Sequence, residues 1–170
     1  MQIETERLIL REMNEEDFDD LYCVLADSDI MQHYPYAFDE KRVRGWIEKN
    51  QERYQIFGFG LWAVCLKENG KMIGDCGLTL QPIGNTIKPE IGYHIQKTYQ
   101  RKGYAKEAAI AVRDWAFTHT PFQTIYSYMK STNLPSMQNA TAQAAALSGG
   151  YGHSYAATAG HLAYPDNMSA

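Results

Sequence analysis

The last 33 of the 170 residues, Gln138 to Ala170, contain no lysine, arginine or glutamate, and Asp166 is their only formal charge. No apolar run in the chain approaches the roughly 20 residues that a membrane helix needs, which argues against a membrane protein. The N-terminus, Met-Gln-Ile-Glu-Thr-Glu-Arg, lacks the basic-then-apolar layout of a secretory leader. Cysteine is scarce. Cys23, Cys65 and Cys76 are odd in number and far apart, which disfavours a disulfide framework or a zinc motif. They fit reduced thiols of a cytoplasmic protein, serving as small apolar core residues. Positive charge is not in excess: 16 Lys+Arg against 20 Asp+Glu give a net charge of −4, which argues against nucleic-acid binding. The remaining composition, 45% hydrophobic and 21% charged, is that of one ordinary globular domain.

All 16 basic residues lie within 1–137, and there the patterning is informative. Residues 5–11 read as a strand with Leu8 and Leu10 on one face. Asn14 reads as the cap of a helix with an acidic first turn and an apolar stripe of Phe18, Leu21, Tyr22 and Leu25. An aromatic loop follows, and Asp39 starts a second helix with Val43, Trp46, Ile47 and Tyr54 on one side. Residues 61–67 and 72–80 read as strands joined by the turn Glu68-Asn69-Gly70-Lys71. Residues 81–89, with Pro82, Gly84-Asn85 and Pro89, read as a loop. Residues 90–95 form another strand, Gly103–Thr118 a helix with a stripe of small residues, and 123–129 a further strand. Asn133-Leu134-Pro135-Ser136 reads as a helix start. The order β-α-α-β-β-β-α-β-α predicts a mixed α/β sheet, mostly antiparallel, with one central βαβ unit.

Gly58-Phe59-Gly60-Leu61-Trp62-Ala63 has the spacing of a dinucleotide-binding motif. It precedes a strand instead of following one, so it is set aside.

The segment Tyr99-Gln100-Arg101-Lys102-Gly103-Tyr104-Ala105 lies at a strand-to-helix junction. Such a junction presents unpaired N–H groups at the positive end of a helix, and Gly103 permits close approach of a ligand. With Arg101 and Lys102 this makes either a phosphate cradle or a basic solvated turn.

Gln100, Gly103 and Ala105 fit the Gln/Arg-x-x-Gly-x-Gly/Ala fingerprint, and here the sequence resembles the GNAT N-acetyltransferases. Thr5-Glu6-Arg7-Leu8-Ile9-Leu10-Arg11, Glu90-Ile91-Gly92-Tyr93-His94-Ile95 and Asn133-Leu134-Pro135-Ser136 resemble, in order, elements of the branch that includes ribosomal-protein N-terminal acetyltransferases. The resemblance implies the GNAT acyl-CoA fold, with the fourth and fifth strands splayed, and acetyl-CoA as cosubstrate with no metal. The pantetheine arm would lie along Tyr93, His94 and Ile95 and against Asn133 and Ser136. The pyrophosphate would rest on Gln100, Arg101, Lys102, Gly103, Tyr104, Ala105 and Lys106. The acetyl group would pass directly to a primary amine, with a protein or peptide N-terminus as the leading acceptor; the alternatives are a small-molecule amine of antibiotic or polyamine type, or a non-catalytic acyl-CoA-binding module.

Direct transfer needs a base for the amine and an acid for the departing thiolate. Glu90 is the leading base or else a solvated strand-end carboxylate. His94 shares its face across Gly92 and is a rival, or a structural histidine. Ser136 and Tyr128 are the candidate acids, Ser136 and Asn133 being equally suited to cap a helix. Tyr34, Tyr36, Phe38 and Trp46 are candidates to wall the acceptor pocket, or else ordinary core aromatics. One domain is expected over 1–170, with 5–137 as its family-like core and 138–170 an atypical Ala/Gly-rich segment. That segment is either a divergent last helix and hairpin, or a replacement near residue 137 that costs the sheet its last strands. Monomer and homodimer are equally open.

Overall fold

A computed structural model describes residues 1–32, 34–83, 85–129 and 154–159. The described strands form one seven-stranded sheet in chain order: β1 (Gln2–Glu4), β2 (Leu8–Arg11), β3 (Leu61–Leu66), β4 (Met72–Ile83), β5 (Thr86–Ile95), β6 (Thr124–Met129) and β7 (Ser154–Ala159). Pairing is antiparallel from β1 to β5 and parallel between β5 and β6 and between β6 and β7. Helices α1 (Phe18–Leu25) and α2 (Glu40–Phe57) separate β2 from β3, and α3 (Tyr104–His119) is the crossover between β5 and β6. The expected mixed α/β sheet with a βαβ unit is what forms.

Strand alternation gives the sheet two apolar faces. Leu8, Leu10, Trp62, Val64, Ile73, Cys76, Leu78, Ile91 and Ile95 are buried against Ala108, Ala109, Val112 and Ala116 of α3, whose small side chains let the helix lie close. Leu61, Ala63, Cys65 and Met72 are buried against Leu21, Val24 and Leu25 of α1 and Val43, Trp46 and Ile47 of α2.

Asn50 fixes α2 to the start of β3. Its Oδ1 accepts from the Leu61 N–H at 2.9 Å, and its Nδ2 donates to the Trp46 carbonyl at 2.9 Å. The Tyr54 hydroxyl donates to the Leu61 carbonyl. Its burial pushes the phenol pKa up, so this anchor stays a donor.

Four expectations need correction. Residues 81–89 are not a loop: β4 and β5 pair from Ile83↔Thr86 to Gly74↔Ile95 with both prolines inside. The Gln96 N–H donates to the Ile73 carbonyl, so odd-numbered residues of β4 make the hydrogen-bonded pairs. Pro82 and Pro89 fall at the alternate positions, where no N–H is required toward the partner strand.

The second correction is at residues 5–11, which are not one strand. Thr5–Arg7 form a turn whose Thr5 N–H donates to Leu8 O at 3.0 Å, and β1 precedes it. Third, the buried side of α1 is Leu21, Val24 and Leu25, and Tyr22 is 37% exposed. Fourth, Cys65 and Cys76 are buried as expected, but Cys23 is exposed.

Gly58 caps the C-terminus of α2 at φ 75°, which places the set-aside glycine motif at a helix end. Beyond residue 153 the described backbone is β7, which pairs with β6 over six positions, from Thr124↔Ser154 to Met129↔Ala159. The sheet therefore continues past β6. The helix expected after Asn133 lies outside the described residues.

Candidate active site

β5 and β6 share a single register position, Glu90↔Tyr126, and diverge beyond it. In β5 the even residues make the hydrogen-bonded pairs with β4, so Tyr93 and Ile95 turn their backbone groups toward the β6 side. Of the expected trio, His94 thus gives its backbone to β4. The Ile95 carbonyl accepts from Gln100 Nε2 at 2.9 Å, so Gln100 ties the following loop to the strand end.

That loop runs through a short 3-10 turn, Lys97–Tyr99, to Arg101 at φ 61° and Gly103 at φ 84°. Arg101 is the only described non-glycine residue with positive φ, and such strain concentrates at ligand sites. Gly103 caps α3 without a side chain, leaving the N–H groups of Tyr104, Ala105 and Lys106 at the helix's positive end. Arg101, Lys102, Gly103 and Lys106 are exposed. Diverging strands and this helix end suit an extended arm carrying a pyrophosphate.

Two residues outside the fingerprint, Arg7 and Glu107, support the loop. Arg7 donates from Nη1 to the Lys102 carbonyl at 2.9 Å, and its guanidinium lies 4.4 Å from the Tyr104 ring centroid. Arg7 Nε donates to Glu107 Oε2 at 2.7 Å, and the Arg7 N–H and Thr5 hydroxyl donate to Glu107 Oε1 at 2.9 and 2.6 Å. Burial works to raise the Glu107 pKa; the hydrogen bonds from Thr5 and Arg7 outweigh it and hold the carboxyl below its ordinary value. The Thr5–Arg7 turn thereby fixes the first turn of α3.

On the sheet face toward α1 and α2, three cross-strand pairs lie side by side: Asp75↔His94, Gly77↔Gly92 and Thr79↔Glu90. The glycine pair leaves a gap flanked by two polar pairs. A Cβ at Gly92 would meet only Leu61 Cδ2, at 3.8 Å, whereas one at Gly77 would lie 1.9 Å from the Gly60 carbonyl oxygen. Glu90 is 4% exposed.

Asp75 is fully buried and accepts from Trp46 Nε1 at 2.9 Å, and its Oδ1 lies 2.7 Å from His94 Nδ1. The Tyr34 hydroxyl lies 2.7 Å from His94 Nε2. Tyr34, Phe38, Trp46 and His94 form a cluster of ring contacts with centroids 5.5 to 6.5 Å apart. Tyr36 packs on Phe38, and its hydroxyl is buried with no partner among the described residues. The structure thus brings together all four aromatic residues expected at the acceptor side and adds His94 to them. Tyr128 occupies a β6 position opposite Thr158 of β7. Asn133 and Ser136 lie outside the described residues.

Residues 7–142 match the Acetyltransferase (GNAT) domain. The chain belongs to the GNAT acetyltransferase family. It is 33% identical to the Bacillus subtilis protein YkkB, itself uncharacterised, over 135 residues, 79% of this chain and 78% of that one. A solved acetyltransferase from Agrobacterium tumefaciens str. C58 superposes with a TM-score of 0.74 at 29% identity, covering 84% of this chain and 82% of the other. RimL, the ribosomal L7/L12 alpha-N-protein acetyltransferase, solved in complex with coenzyme A, superposes with a TM-score of 0.69 at 18% identity. That match covers 84% of this chain and 82% of RimL, and it speaks to the fold.

This GNAT protein is an acetyl-CoA-dependent acetyltransferase. Among its described residues no helix is long and apolar enough to cross a membrane, and no group of His, Cys, Asp and Glu is placed to hold a metal ion. Sequence reasoning misses Asp75, although it is the one charged residue of an otherwise uncharged strand.

Proposed function

We propose that this GNAT enzyme acetylates a primary amine, with the N-terminus of a protein or peptide as the leading acceptor. One observation carries the reading: Glu90, almost fully buried, stands at the point where β5 and β6 part, beside the Gly77–Gly92 gap. That position suits a carboxylate that takes a proton from an amine entering the gap from the α1–α2 side. Acetyl-CoA supplies the acetyl thioester. The residues to hold it are Tyr93 and Ile95 through the β5 backbone, Arg101 to Lys106 through the loop and helix end, and Asn133 and Ser136.

The donor of a proton to the departing sulfur is Tyr128 or Ser136. No covalent acyl-enzyme is needed, because both partners meet in one cleft. The preference for a protein N-terminus is supported by the resemblance of the 5–11 and 90–95 segments to the ribosomal-protein branch and by the fold shared with RimL. A small amine is the second reading, favoured by the compact aromatic wall of Tyr34, Tyr36, Phe38 and Trp46. We take 1–170 as one domain with its core in 5–137, working in the cytoplasm, where three free cysteines stay reduced.

Acetyl-CoA consumption measured across a panel of peptides and small amines tests the reading. Turnover with peptides bearing a free N-terminus is expected. Turnover confined to small amines would move the assignment to the second reading, and no turnover with any amine would overturn both.

A further inference from the structure

A fully buried carboxylate is costly unless every oxygen is engaged. Asp75 meets that condition with two partners from different elements, Trp46 of α2 and His94 of β5. An ionised carboxylate only accepts hydrogen bonds, so the hydrogen on this side of the imidazole belongs to His94 Nδ1. Nε2 then carries a lone pair and accepts the Tyr34 O–H at 2.7 Å. A hydroxyl that donates its hydrogen keeps acceptor lone pairs of its own. The row Trp46–Asp75–His94–Tyr34 ends in the aromatic cluster beside the Gly92 gap, on the same sheet face as Glu90. Glu90 and His94 are four residues apart, about 13 Å along an extended strand, so the two stand at opposite ends of that gap.

An amine that arrives protonated must lose two protons from its nitrogen to become an amide. One ends on the sulfur of CoA and the other goes to solvent, so the site has use for two proton acceptors. We propose that Tyr34, His94 and Asp75 form a relay that takes the first of these protons. The N–H bond of the ammonium breaks as its proton passes to Tyr34 Oη, and the Tyr34 O–H proton passes to His94 Nε2. The products are a neutral amine and an imidazolium held by Asp75, with charge conserved.

Tyr34 is the group that touches the amine; His94 receives the proton through it, and Asp75 positions the imidazole. Both His94 nitrogens are engaged, by Asp75 and Tyr34, so once the amide has left, the proton returns to solvent through the hydroxyl of half-buried Tyr34. This relay rests on the amine-acetyltransferase reading and leaves the second proton to Glu90.

The test compares Tyr34→Phe and His94→Gln with wild type on two primary amines at neutral pH, one almost wholly protonated and one weakly basic and already neutral. The expected loss of kcat with the protonated amine is about 10²- to 10⁴-fold. The loss with the neutral amine is expected to be at least tenfold smaller, with the KM for acetyl-CoA and the thermal shift produced by CoA unchanged. Equal losses on both amines would show a merely structural role, and no loss on either would show no role; each overturns the relay.

A readout independent of turnover is the ¹⁵N spectrum of His94. Wild type is expected to carry its hydrogen on Nδ1, and Asp75→Asn to lose that tautomer; hydrogen on Nε2 in wild type would overturn the relay. If wild type turns over no amine at all, the functional reading fails instead, and the spectrum still decides whether the relay is assembled.

Discussion

Arg7 and Glu107, one hundred residues apart in the chain, meet through Arg7 Nε and Glu107 Oε2 at 2.7 Å, and the same arginine reaches the Lys102 carbonyl. The opening turn of the chain is thus built into the Arg101–Lys106 loop that we propose as the cosubstrate cradle. The salt bridge itself is half-exposed on the arginine side, which limits its Coulombic value. The hydrogen bonds into Glu107 matter more.

Glu107→Gln is therefore expected to cost about 1–2 kcal/mol of stability at neutral pH. The carboxyl pKa is lowered in the fold. Its contribution is then complete above the ordinary glutamate value of about 4.3 and is lost as the pH falls through the lowered value. Chemical denaturation of both proteins between pH 7 and pH 3 checks this. The gap between wild type and variant should be widest at neutral pH and narrow in acid.

Gly103 sits at φ 84°, and a Cβ there would lie 3.3 Å from Arg7 Nη2. Gly103→Ala is expected to cost roughly 1–2 kcal/mol from the left-handed backbone alone. It should also reduce the rise in melting temperature that CoA produces, since the strained backbone lies in the loop itself and the Arg7 guanidinium that holds the Lys102 carbonyl must give by a few tenths of an ångström. Differential scanning fluorimetry with and without CoA reads both effects.

Gly77 and Gly92 face each other across β4 and β5, yet they should respond oppositely to the same methyl group. Gly77→Ala collides with the Gly60 carbonyl and is expected to unfold the protein or cost more than about 3 kcal/mol. Gly92→Ala has space and an ordinary φ, so stability should change by less than about 1 kcal/mol. Its methyl would nevertheless enter the gap between Glu90 and His94. The KM for the acceptor should rise while the KM for acetyl-CoA stays the same.

Much of this site is legible in the sequence. The left-handed cap at the start of α3 follows from the Gly103 junction, and the shared face of Glu90 and His94 follows from strand alternation. The Asp75–His94 pair escapes sequence reasoning for an identifiable reason. Pro82 and Pro89 suggest a loop, whereas the alternation of hydrogen-bonded pairs leaves both prolines without a lost bond. The β4–β5 register, starting from Ile83↔Thr86, sets Asp75 opposite His94 and Thr79 opposite Glu90. The Arg7–Glu107 contact is hidden differently. It joins residues far apart in sequence, and only the packing of α3 on β2 brings them together. The 138–170 segment, with its single charge, offers little periodicity, and its described residues, 154–159, pair with β6 as β7.

The central claim is that Glu90 takes a proton from an amine acceptor in a site that binds CoA independently of that step. Steady-state acetyl transfer by Glu90→Gln, measured beside its CoA-induced melting shift, tests it most directly. The account predicts a fall in kcat of about 10²-fold or more with the melting shift retained. Unchanged turnover in a folded, CoA-binding variant would contradict it.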